Sequence, residues 1–166
     1  MTITSILTYI FALILIAFTL FNLYATLTAK KRKQISSSSF RVLCNEIEKE
    51  LINIQKQRNL NFSYIKRMAN DQNNVIIFVK DVDKKVAAIA MKDDIKVFSF
   101  SSLKDAKTLY EKKGKKILSA KVDVTIDDTT WTYTFSSKPF NPKGILGKVI
   151  YDTTVEFKDE LIKLKN

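Results

Sequence analysis

The first 29 residues carry no charged side chain, and every Lys, Arg, Asp and Glu of the chain lies after them. A run of this kind has few places to go. Its apolar part, Ile6 to Leu27, is about 22 residues, which at ~1.5 Å of rise per residue is enough to cross a ~30 Å hydrocarbon core. A helix also satisfies its own backbone polar groups, which lipid cannot do. The polar residues within the run are mild: Thr8, Thr19, Asn22 and Thr26. Tyr9 and Tyr24 stand near its ends, where amphipathic rings favour the interface. A cleaved signal peptide needs a basic n-region, a shorter apolar core and a small-residue cleavage site, and these are missing before Lys30. The run is therefore expected to be a transmembrane anchor over residues 1–29.

The side of the membrane follows from the flanks. Lys30, Lys31, Arg32 and Lys33 come directly after the run, and cytoplasmic flanks carry the excess of Lys and Arg. The expectation is a single-pass protein of the cell (inner) membrane, N-terminus out, with the rest of the chain cytoplasmic. Removing those four leaves 24 basic against 17 acidic residues, a balance of +7 over 34–166. That charge suits the vicinity of an anionic leaflet. The basic residues are interspersed with acids and join no nucleic-acid-binding motif, so nucleic acid is not an expected partner. Lys112, Lys113, Lys115 and Lys116 around Gly114 read as a solvated hairpin tip or loop.

Composition narrows the chemistry. There is no histidine and one cysteine, Cys44. This removes the usual general base, the Ser-His-Asp and Cys-His arrangements and most zinc sites. A lone cysteine forms no intrachain disulfide, in keeping with a reducing compartment. With three glycines and two prolines there is no Gly-rich phosphate loop. The candidate acids, Asp81, Asp83, Asp93, Asp94, Asp127 and Asp128, come in pairs at turns, where Asp is favoured for its local hydrogen bonding. No enzyme, cofactor or metal site is expected, and Cys44 reads as a small packed side chain. The wealth of Lys, Ile and Asn suggests an AT-rich, bacterial source.

After a basic and serine-rich linker at 30–39, residues 40–57 place Phe40, Leu43, Ile47, Leu51 and Ile54 on one helical face. That stripe is expected to pack on the chain's own sheet; a seam between copies is the alternative, so a homo-oligomer is possible. Residues 59–74 fit strand, helix or loop. The sheet is expected over 75–136: Val75 to Val79; then Val86 to Met91, whose unbroken apolar run implies burial on both faces; then Ile95 to Ser99. Leu103 to Tyr110 is either strand or helical turn. Ile117 to Ile126 and Thr130 to Phe135 alternate as a half-buried antiparallel pair. Ile145, Leu146, Val149, Ile150, Val155, Phe157, Leu161 and Leu164 mark a closing amphipathic helix over 145–164. The fold class expected is thus α+β: a single N-terminal transmembrane helix, then a small antiparallel β-meander or roll flanked by an amphipathic helix on each side, the domain covering 40–166.

Three stretches carry a resemblance: Val86–Lys92, Val97–Leu103 and Val122–Asp128. In this order they resemble bacterial pleckstrin-homology-like domains, in which a strand and a Phe-x-x-Leu segment precede a long hairpin and a C-terminal helix. The likeness covers residues 75–164. That family is a binding fold without a fixed active site, so the resemblance implies recognition or scaffolding and transfers no functional residue. The function expected is a membrane-anchored, non-catalytic binding or scaffold module whose partners are the membrane and other membrane or cytoplasmic proteins. An accessory subunit of a multi-protein envelope complex, in secretion, transport or defence, is the alternative.

Overall fold

The computed structural model describes the backbone of residues 3–72 and 74–165; within the first helix it describes side chains at 14, 15, 17–22, 24 and 26 and from Ser38 onward. The chain divides into two compact units, Met1–Ser39 and Phe40–Asn166. Helix α1, Ile3–Gln57, runs from the first unit into the second.

The anchor expected over 1–29 is corrected here. Among the described residues no helix is long and apolar enough to cross a membrane. Helix α1 itself has 55 residues, and Thr19, Asn22 and Thr26 stand among its described side chains ahead of Ser38. The Thr19 and Thr26 hydroxyls donate back to the Leu15 and Asn22 carbonyls, a habit of helical threonines in any solvent. The single-pass membrane assignment, the outward N-terminus and the cytoplasmic placement depended on that span and fall with it. Lys30, Lys31, Arg32 and Lys33 are helical in backbone, and their side chains lie outside the described residues. The helix also continues through 30–39, where composition suggested a linker.

The second unit holds seven strands in two antiparallel meanders. The first sheet is β1 (Tyr64–Ala69), β2 (Val75–Asp81), β3 (Val86–Met91) and β4 (Asp94–Ser99), in that order; the second is β5 (Leu103–Lys113), β6 (Lys116–Ile126) and β7 (Thr129–Ser136). A 3₁₀ turn at Phe100–Ser102 separates them. Ser99 caps it by accepting the Ser102 N–H. Helix α2, Ile145–Ile162, follows β7 and ends in a second 3₁₀ turn at Lys163–Lys165.

The first sheet is covered on both faces. Val75, Ile77 and Val79 of β2, with Ala88 and Ala90 of β3, pack on Cys44, Ile47 and Leu51 of α1. Ile76 and Phe78, with Ala87 and Ile89, face the other way, into a core shared with Val122, Val124 and Phe135 of the second sheet and with Phe157, Leu161 and Leu164. Successive strand residues point to opposite faces, so an unbroken apolar run is what a doubly covered strand requires. The small Ala87, Ala88 and Ala90 let both layers approach closely. Phe157 is the hub, with Phe78, Tyr133 and Phe135 at ring-centroid distances of 6.2, 5.8 and 5.5 Å. Ion pairs stitch the layers at their margins: Arg67 of β1 with Glu48 of α1, Lys66 of β1 with Glu156 of α2, and Lys80 of β2 with Glu160 of α2 at 3.4 Å.

Residues 59–74, open between three readings in the sequence, contain β1. Its alternation is masked by Lys66 and Arg67, both spent on those ion pairs. Of the two readings of the lysine-rich stretch at 112–116, the hairpin tip is the one found: Lys113 pairs with Lys116 across the two-residue turn Gly114–Lys115, with Gly114 at φ 59°. Positive φ comes at little cost to glycine alone.

Candidate binding groove

The acids singled out in the sequence are distributed over separate turns and do not converge. Asp81 is 1 % exposed. Its carboxylate accepts the Asn61 N–H at 2.6 Å and the Lys84 N–H at 3.0 Å, and these donors hold its pKa below the usual carboxylate value. It pins the β2–β3 turn to the chain entering β1. Asp83 is an exposed residue of that turn. Asp93 and Asp127 adopt φ of 62° and 52° in two-residue hairpin turns, a conformation short polar residues tolerate. Asp94 pairs with Lys96 at 2.8 Å and Asp128 with Lys104 at 2.6 Å. Among the described residues no group of three or more His, Cys, Asp or Glu is placed to hold a metal ion. Cys44 is buried, and burial first, then the Glu48 charge, push its thiol pKa up, the reverse of what activates a nucleophile.

The apolar stripe at 40–57 is equally committed, because Cys44, Ile47 and Leu51 lie in the core. Exposed large apolar side chains stand on α1 from Ile14 to Tyr24, and within the second unit the most exposed are at the start of α2. Ile145 is 91 % exposed, Leu146 77 % and Val149 58 %. Beside them lies a groove of about 560 Å³ walled by Ala69, Asn70, Asp71, Ser136, Lys138, Pro139, Phe140, Leu146, Val149 and Ile150.

Local chemistry builds each wall. Asn70 Oδ1 accepts the N–H groups of Gln72 and Asn74 and closes the β1–β2 turn. The same turn reaches the second sheet, where Asp71 N–H donates to Phe135 O at 3.1 Å. The Asp71 carboxylate accepts the Ser137 and Lys138 N–H groups at 2.8 and 2.9 Å and the Ser136 hydroxyl at 3.0 Å. Further along, Phe140 and Ile117 exchange two backbone bonds, 2.8 and 2.9 Å, which tie the proline-containing loop to the start of β6. That loop then presses against α2. A Cβ at Gly147 would sit 1.9 Å from the Asn141 carbonyl oxygen, so only glycine permits the approach that sets Phe140 beside Leu146. The walls are thus held by backbone hydrogen bonds and by the Asn70 and Asp71 side chains, and the groove is preformed.

A second depression of about 530 Å³ is lined by Val82, Lys85, Phe100, Ser101, Leu103 and residues 163–165. Two of its three lysines are engaged: Lys163 with Glu160 at 2.8 Å, and Lys165 Nζ with the Lys104 carbonyl at 2.7 Å.

Sequence reasoning placed Ile145, Leu146, Val149 and Ile150 on the helix's buried side and so missed the groove. A signal was present. At ~100° per residue, Leu146 and Ile150 fall within about 20° of the Phe157–Leu161–Leu164 stripe, whereas Val149 and Ile145 lie roughly 80° and 120° away from Phe157. Two large apolar residues thus lie off the core stripe, and both are exposed.

No family model matches the chain, and no curated protein and no solved structure matches it either.

Proposed function

We propose that this chain is a non-catalytic binding module that receives another protein at the groove beside the first two turns of α2. The observation that carries the reading is the exposure of Ile145, Leu146 and Val149 side by side with a concave apolar wall. A contiguous apolar patch next to a preformed groove is a common form of recognition site, whereas apolar residues scattered singly, such as Val42 and Ile52 on α1, are ordinary. The two meanders form a rigid support, and the groove sits where a loop from each meets the helix. The long β5–β6 hairpin and closing helix are compatible with the pleckstrin-homology-like resemblance, which implies recognition without a fixed active site. The committed roles of the turn aspartates and of Cys44 favour binding over catalysis.

The test is site-specific photocrosslinking in the native host. A benzophenone amino acid at position 146 should give one or a few discrete adducts that disappear in the Val149→Glu background. The same probe at Leu109, an exposed apolar residue of β5 at 45 %, is the control. Adducts from 146 that match those from 109, or that survive Val149→Glu, contradict the reading.

A further inference from the structure

We infer that the groove selects a partner segment in which apolar anchor residues are flanked by acidic ones. This inference rests on the binding reading above and names the chemistry of its ligand. The observation is the distribution of charge around the apolar patch. Lys138 lines the groove, Lys143 stands in the loop just before α2, and Lys148 is on the first turn of α2, about 60° round the helix from the exposed Ile145 and on the side away from Leu146. All three are exposed, and none takes part in an ion pair among the described residues.

Their freedom contrasts with the other lysines of α2's surroundings. Lys66, Lys80, Lys158 and Lys163 each hold a carboxylate. The carboxylate that lines the groove, Asp71, accepts the N–H groups of residues 137 and 138, and its charge, with that of the exposed Asp152 one turn beyond Lys148, counts against the three lysines. Three lysines against two aspartates leave the surroundings of the groove positive by one formal charge, and the chain as a whole carries +11. A positive rim around an apolar floor steers and retains an acidic segment and disfavours a basic one. The apolar anchors supply affinity by filling the groove; the flanking acids supply orientation and discrimination.

The experiment is selection of a random peptide display library on the full-length chain, followed by binding measurements with the recovered peptides. The expected result is recovery of peptides with Leu, Phe or Trp between Asp and Glu residues. Their binding should be lost in Leu146→Glu/Val149→Glu. It should fall about tenfold or more in Lys138→Glu/Lys143→Glu/Lys148→Glu at low ionic strength, with a smaller loss in added salt. Circular dichroism and melting of both variants verify that they fold.

The failures separate. Peptides that bind through Leu146 and Val149 but carry no acidic enrichment overturn the charge inference and leave the groove reading standing. No recovered peptides, or peptides indifferent to Leu146→Glu/Val149→Glu, overturn both. Self-association of the chain that disappears in Leu146→Glu makes a second copy the occupant and overturns the inference as well.

Discussion

The two ends of α2 have similar apolar content and opposite fates. At its C-terminal end Phe157 and Leu161, followed by Leu164 in the 3₁₀ turn, are buried beneath both sheets. At its N-terminal end Ile145, Leu146 and Val149 stand open. The difference comes from what lies against each end. Core residues of both sheets lie against the last turns of the helix, while the first turns stand beside the loop at 137–144 and the β1–β2 turn. One helix therefore does two jobs, closing the core with one end and presenting a surface with the other. Apolar residues are not all there for stability, and removing them at the two ends should have very different consequences.

The largest effect is expected at the closed end. Phe157→Ala removes the ring that Phe78, Tyr133 and Phe135 surround, and should cost about 3–5 kcal/mol in denaturant unfolding of the full chain. A loss below about 1 kcal/mol would mean that the closed end is not core.

Gly147→Ala acts at the hinge of the comparison. In an ordinary helix interior this change stabilises by about 1 kcal/mol. Here the new methyl meets the backbone oxygen of Asn141 at 1.9 Å, so the sign should reverse to a loss of about 1–3 kcal/mol. The loop would also be displaced, weakening peptide binding at the groove. A stabilised variant would show that the loop is not held against α2.

The boundary between the two ends can be read by titration. Tyr151 of α2 stacks on Tyr110 of β5 with centroids 5.2 Å apart. Burial first, then the neighbouring Tyr151, push the Tyr110 phenol up to about 12. Because the folded value exceeds the ordinary value of ~10, the unfolded chain loses this proton first as pH rises. The contribution is intact below pH ~10 and is lost as pH rises towards 12. Tyr110→Phe should therefore soften the alkaline loss of stability between those values. In spectrophotometric titration the same variant should lack one late-ionising phenol.

The smallest effect is expected at the open end. Leu146→Ala and Val149→Ala should each change unfolding free energy by no more than about 0.5 kcal/mol, while both weaken binding of the selected peptides. A destabilisation comparable to that of Phe157→Ala would erase the distinction between the ends.

How much of this was legible beforehand depends on whether a residue's neighbours are local. The continuous apolar run of β3 announced a doubly covered strand, and the alternation in 117–126 and 130–135 marked the β6–β7 hairpin. The turn aspartates announced themselves through local hydrogen bonding. β1 was ambiguous because Lys66 and Arg67 interrupt its apolar pattern to pair with Glu156 and Glu48, which are remote in sequence. β5 was ambiguous because its outer residues are polar and its pairing with β6 shifts register twice. The N-terminal anchor was inferred from the length and apolarity of one uncharged run, and among the described residues no helix is long and apolar enough to cross a membrane. The groove was invisible because what lies against each end of α2 is a tertiary property that helical periodicity does not carry.

The central claim is that the open end of α2 is where this molecule meets its partner. Amide hydrogen exchange of the full-length chain, with and without a saturating selected peptide, tests it most directly. The account predicts slowed exchange concentrated in residues 69–72 and 136–150, with the strands of the core unchanged. Protection centred on the β1 or β4 edge, or on the lysine-lined depression at 163–165, with residues 136–150 unaffected, would contradict it.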